Sequence, residues 1–170
     1  MAEVNEFVWE FDPAEFATLG THGRPGERVF LFQAGANGEI VTLLVEKLQM
    51  AALARAIATA LEDLARPGEL PPTTPLTEPA EPAFRVGELQ LAVDVDAGVL
   101  VIEAIEDERD VDVEPRRARF TLSRELAARL AIRIAEVVEQ GRPTCPLCGY
   151  PINPEGHACP RTNGHRAPAR

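Results

Sequence analysis

The sequence predicts an α+β fold: an antiparallel or mixed sheet with two main helices packed on one face, followed by a small C-terminal zinc-binding module. Three observations predict it. Apolar residues alternate with polar ones in short runs in both halves of the chain. Two longer stretches carry apolar residues at three- and four-residue steps. All three cysteines, and two of the three histidines, crowd into residues 141–170.

Phe7, Trp9 and Phe11 alternate with Glu6, Val8 and Glu10, the pattern of a half-buried strand. Asp12-Pro13-Ala14-Glu15 then offers a capping residue, proline at the first helical position and glutamate three residues after the cap. A short helix ending near Gly20 is expected there, with a loop from Thr21 to Gly26. Val29–Ala34 and Glu39–Val45 flank Asn37-Gly38, two residues that accept positive φ, and read as a tight hairpin. From Glu46 to Ala65, Met50, Leu53, Ile57, Leu61 and Leu64 line one side of a helix. Residues 67–82 contain Pro67, Pro71, Pro72, Pro75, Pro79 and Pro82. Each proline fixes φ and removes a donor, so an extended crossover or surface loop is expected.

The second half repeats this order. Leu89, Leu91, Val93 and Val95 alternate, Asp96-Ala97-Gly98 turns the chain, and Val99–Ile105 and Arg117–Leu122 are further strands. Ser123 caps a helix whose apolar face is Leu126, Leu130, Ile134 and Val137, and Gly141 and Pro143 end it. Val41–Val45 before the first helix resembles Ala118–Leu122 before the second, which suggests a degenerate β-β-β-α duplication. The expected division is an α+β domain over 1–141 and a zinc-ribbon-like tail over 142–170.

Of the 170 residues, 45% are hydrophobic and 26% charged, enough for one core plus an appendage. No apolar run approaches the roughly 18 residues of a membrane span. Met1-Ala-Glu-Val-Asn-Glu6 lacks the apolar stretch of a signal peptide, so the expected location is cytoplasmic. Within 141–170, Arg142, Arg161, Arg166 and Arg170 face Glu155 alone, a charge of +3, which leaves −13 on the rest of this −10 chain. So acidic a body repels phosphate backbones; nucleic-acid contact is conceivable only through the tail, where Tyr150 is the sole nearby aromatic.

Zinc takes thiolate and imidazole ligands, four in a structural site. Cys145-Pro-Leu-Cys148-Gly149 has the two-residue gap that points both sulfurs at one ion, and Cys159-Pro-Arg resembles a second knuckle without its second cysteine. The fourth ligand must be a histidine. His157 stands two residues before Cys159 and projects to the same side of an extended segment; His165 lies five residues beyond Cys159 and is the alternative. Four protein ligands close the site and leave no position for a catalytic water. A redox Cys145–Cys148 pair would need a following helix, which Pro151 and Pro154 oppose.

Other constellations carry less. Glu106–Glu114 is rich in carboxylates but lacks calcium-loop spacing and reads as a solvated loop. Gly20–Gly26, with His22 and Arg24, lacks the Lys-Ser/Thr ending of a phosphate loop, and His22 has no identifiable catalytic partner. Trp9 reads as a core or sheet-face residue.

The tail, above all Gly156-His157-Ala158-Cys159-Pro160-Arg161, resembles the end of an uncharacterised, mainly actinobacterial family catalogued as domain of unknown function 3090, and the opening Phe11-Asp12-Pro13 and first hairpin fit it. The resemblance implies a bacterial protein of no assigned activity, and it favours His157 over His165. The expected function is that of a non-enzymatic adaptor or regulator of a protein partner. The alternatives are an enzyme or enzyme subunit acting on a small phosphorylated metabolite, and nucleic-acid contact through the tail.

Overall fold

A computed structural model describes residues 7–24, 26–107, 113–140, 145–149, 152 and 158–162. The elements are β1 (Trp9–Phe11), β2 (Phe16–His22), β3 (Val29–Ala36), β4 (Glu39–Val45), α1 (Lys47–Glu62), β5 (Phe84–Asp94), β6 (Val99–Glu106), β7 (Arg117–Ser123), α2 (Arg124–Glu139) and a 3-10 turn at Pro160–Thr162. The seven strands form one mixed sheet in the order β1-β7-β6-β5-β4-β3-β2. The fold is α+β.

The hairpin between β3 and β4 closes on Asn37 and Gly38, at φ of 54° and 81°, as the Asn-Gly pair requires. Ser123 caps α2 by accepting from the Leu126 N–H at 3.1 Å.

The expected helix over Asp12–Gly20 is not formed; Phe16–His22 is β2, paired residue for residue with β3. The capping signals are real but local. They are outweighed by burial on both sides of the strand: Ala17 and Leu19 face the core while Thr18 and Gly20 lie under residues of the proline-rich segment. A short helix could bury only one stripe. Thr21 and His22 accordingly belong to a strand rather than a loop. Smaller shifts are that α1 ends at Glu62, before the expected Ala65, and that β5 begins at Phe84.

β1 and β2 lie at opposite edges of the sheet, yet only residues 12–15 join them. The sheet must therefore curl until its edges meet. Within that link the Ala14 N–H donates to Thr121 O of β7 and the Glu15 N–H to Gly35 O of β3, both at 2.9 Å. Across the interior the Phe32 ring of β3 stands 5.3 Å from the Phe120 ring of β7, and Phe11 stands 6.0 Å from Phe120. Every sheet residue of the buried core comes from this inner face. Met50, Leu53 and Ile57 of α1 and Leu126, Leu130 and Ile134 of α2 complete the same core.

The β-β-β-α order is repeated in register. The core row Leu19–Phe32–Leu43 of β2–β4 has its counterpart in Leu91–Ile102–Phe120 of β5–β7. Leu43 pairs in parallel with Phe84, and Phe120 in parallel with Phe11. β3 and β6 are each 8 residues long, and α1 and α2 each 16. β1 and β2 together match β5: the first half breaks this bent strand at residues 12–15, the second bends it at a bulge between Val86 and Glu88.

Residues 67–82 contain neither helix nor strand, and they are laid as a strap across the outer face of the first half. The row Thr18–Gln33–Thr42 supplies the grip. Thr18 Oγ1 donates to Thr74 O at 2.6 Å; Gln33 Nε2 donates to Thr77 O at 3.1 Å while its Oε1 accepts from the Thr77 N–H at 2.8 Å. Gly20 leaves the space that Leu76 occupies, since a Cβ there would stand 2.5 Å from Leu76. At its ends the Gly68 N–H donates to Glu125 of α2 and the Ala83 N–H to Thr42 O of β4.

Candidate metal centre

The sulfurs of Cys145, Cys148 and Cys159 lie within 4.8 Å of one another, and none of the three is in a disulfide. Cys145 and Cys159 are buried, at 3% and 0% exposure, and their Sγ atoms are 3.9 Å apart. A disulfide would place them about 2.05 Å apart. A tetrahedral ion with metal–sulfur bonds of about 2.3 Å sets neighbouring sulfurs roughly 3.8 Å apart. The observed separation excludes a disulfide and is compatible with two thiolates sharing one ion.

The local chain builds this geometry. Residues 146–148 form a turn, closed by Gly149 at φ 76°, whose N–H donates to Cys145 O at 2.8 Å. Glycine enters that left-handed conformation without steric penalty. The turn aims the N–H groups of Cys148 and Leu147 at the Cys145 sulfur. Burial pushes the Cys145 thiol up, but those two donors, with the Cys148 and Cys159 side chains, outweigh it and hold the thiol below its ordinary value. A lowered thiol pKa reduces the proton cost of binding a metal. Arg161 donates from NH1 to Leu147 O at 3.1 Å and so ties the segment after Cys159 to the first knuckle.

Three soft thiolate donors converging on one point can hold a metal ion. His157 and His165, the two candidates for a fourth ligand, lie outside the described residues, as do Arg142, Arg166 and Arg170.

The remaining sequence candidates are not brought into this site. His22, at the end of β2, stands 3.7 Å from Glu78 with both side chains more than half exposed. Glu106 is held by Arg116, which donates to it from Nε at 2.8 Å and from its backbone N–H at 3.1 Å; residues 108–112 of the acidic segment lie outside the described residues. Trp9 packs against Phe84, ring centroids 5.8 Å apart. It also lines a cavity of about 260 Å³ between β4 and the strap, with Gln33, Thr42, Glu78 and Glu81. The polar grip of Thr18, Gln33 and Thr42 on the strap had no counterpart in the sequence reading. The only local signal was that a glutamine and two threonines occupy one face of strands otherwise rich in apolar residues.

The model of a family described as protein of unknown function (DUF3090) matches residues 9–159. The chain belongs to this family. The match begins at β1 and ends at Cys159, so it takes in both halves of the sheet, all three cysteines and His157, and stops short of His165. No curated protein and no solved structure matches the chain. Among the described residues, no helix is long and apolar enough to cross a membrane.

Proposed function

We propose that this family member is a non-enzymatic bacterial adaptor or regulatory protein whose C-terminal segment, residues 142–170, is a zinc-ribbon-like module that docks a protein partner. The observation that carries the reading is the spacing of two buried sulfurs at 3.9 Å with a third beside them. Zinc is the ion of choice for such a thiolate-rich set in a cytoplasmic protein with three cysteines outside any disulfide. His157 completes the ligand set; its place inside the family match supports it over His165. Four protein ligands give a closed, structural site, and the ion's task is to fold a segment too short to bury a core of its own.

The test is retention of a partner by the intact, zinc-loaded chain and by Cys145→Ser. A partner held only by the intact form supports the module as the docking element; equal retention by both removes that role.

The enzyme reading has one specific observation behind it, the cavity of about 260 Å³ beneath the strap. Glu78 and Glu81 in its lining repel a phosphorylated metabolite. Turnover of such a compound, abolished by filling the cavity, would favour that reading instead.

A further inference from the structure

We propose that the outer face of β5 and β6 is a docking surface for an extended, proline-containing, basic segment of a partner protein, seated as the strap is seated on the first half. The inference stands on the two halves of the body and does not rest on the metal module.

The strap shows what this kind of face holds. In the first half the row Thr18–Gln33–Thr42 is covered, and Gln33 is 1% exposed. The register places Gln90–Glu103–Arg119 at the same positions of the second half. There Gln90 is exposed, and the Glu103 side chain is 25% exposed. The hydrogen-bonding capacity for an extended backbone is present. Glu103 stands 3.7 Å from Arg119 and 3.9 Å from Arg117, beyond hydrogen-bond length. At the β7 end of this row the Phe7 ring lies 5.5 and 5.6 Å from the Arg117 and Arg119 guanidiniums, so the exposed part of the face is on β5 and β6.

Among the described residues Gln90 and Ala92 on this face are exposed, while α1 holds only the start of β5, where Gln49 Nε2 donates to the Val86 and Gly87 carbonyls at 3.1 and 3.2 Å.

α1 starts at Lys47 and α2 at Arg124, an offset of 77, which aligns the strap's Gly68 and Pro82 with Cys145 and Cys159. The strap runs extended from α2 across β2 and β3 to β4, whereas Cys145 and Cys159 hold their sulfurs 3.9 Å apart and so do not span the sheet as the strap does.

Charge and shape define the partner segment. Glu88 and Asp94 are exposed on the same strand face as Gln90, on a chain of net charge −10, so a basic segment is favoured and a second copy of this chain is not. Ala92 takes the place of Gly20, so the partner residue above it must be smaller than the leucine that fits the strap.

The test uses the full-length reduced chain, with a displayed library of short, proline-containing, lysine- and arginine-rich peptides as the probe. Expected are peptides that shift the backbone amide resonances of Gln90, Ala92, Val101 and Glu103. They bind Glu103→Lys at least about tenfold more weakly and retain binding to Glu103→Gln, the residue type of the first half. Ala92→Leu, at an exposed position, is a second blocking variant that leaves the core untouched. The proposal is overturned by no binding up to about 1 mM, by equal binding to both blocking variants, or by shifts confined elsewhere. It is also overturned if this face is protected in a dimer, or becomes accessible only when residues 141–170 are removed.

Discussion

The two β-β-β-α halves share a register, a helix length and a core row, yet they finish differently. After α1 the chain lies flat over its own sheet and seals the row Thr18–Gln33–Thr42; after α2 three cysteine sulfurs come within 4.8 Å of one another. One backbone plan thus carries two different continuations. The first uses side-chain hydrogen bonds to the strap backbone. The second brings three cysteine sulfurs together, a set able to hold a metal ion. Among the described residues the row of the first half is sealed, while in the second half Gln90 is exposed and Glu103 partly so.

Core substitutions should treat the halves alike and have the largest effect. Phe120, fully buried against Phe11 and Phe32, and its counterpart Leu43 occupy equivalent positions. Phe120→Ala should cost about 3–5 kcal/mol and Leu43→Ala about 2–5 kcal/mol in urea unfolding. A loss below about 1 kcal/mol at either site would show that the halves do not share one core.

The sealed and open rows should then separate. Gln33→Ala strips partners from the Thr77 N–H and carbonyl, and should cost about 1–3 kcal/mol. Glu103→Ala, on the half-exposed row, should cost no more than about 1 kcal/mol. Equal losses would erase the distinction between the two faces.

Much of this plan was legible in the sequence. Alternation marked β1, β5 and β7, Asn37-Gly38 marked the hairpin of β3 and β4, the turn at Asp96–Gly98 marked the return of β6, and the apolar spacing marked both helices, because each depends on neighbours in the chain. Residues 12–20 misled, because a good capping pattern and a strand buried on both faces look alike until β3 and the strap are known. The closure of the sheet through β1 and β7 left no local trace, since it pairs residues more than a hundred positions apart. For the metal centre, the Cys145–Cys148 gap and the glycine after it were readable as a knuckle. The approach of Cys159 depends on a long-range fold-back that spacing suggests but does not fix.

Gly20→Ala tests the seat of the strap. The added Cβ meets Leu76 and should cost about 1–3 kcal/mol while increasing hydrogen exchange over residues 74–77. Ala92→Gly, its counterpart, should change stability by less than about 1 kcal/mol.

The smallest effect concerns the strap's anchor on α2. The Gly68 N–H donating to Glu125 is the largest of the influences that lower the Glu125 pKa from its ordinary 4.5. With the folded-state value depressed, the contribution is complete above pH 4.5 and fades as the pH falls below it. Glu125→Gln should flatten that part of the stability–pH curve; an unchanged acid limb would detach Glu125 from the strap.

The contrast between strap and cysteine cluster is tested most directly by elemental analysis of the purified, reduced protein. One zinc per chain, lost in Cys159→Ser while the sheet and helices stay folded, is the expected result. A chain that remains metal-free when supplied with zinc would contradict it.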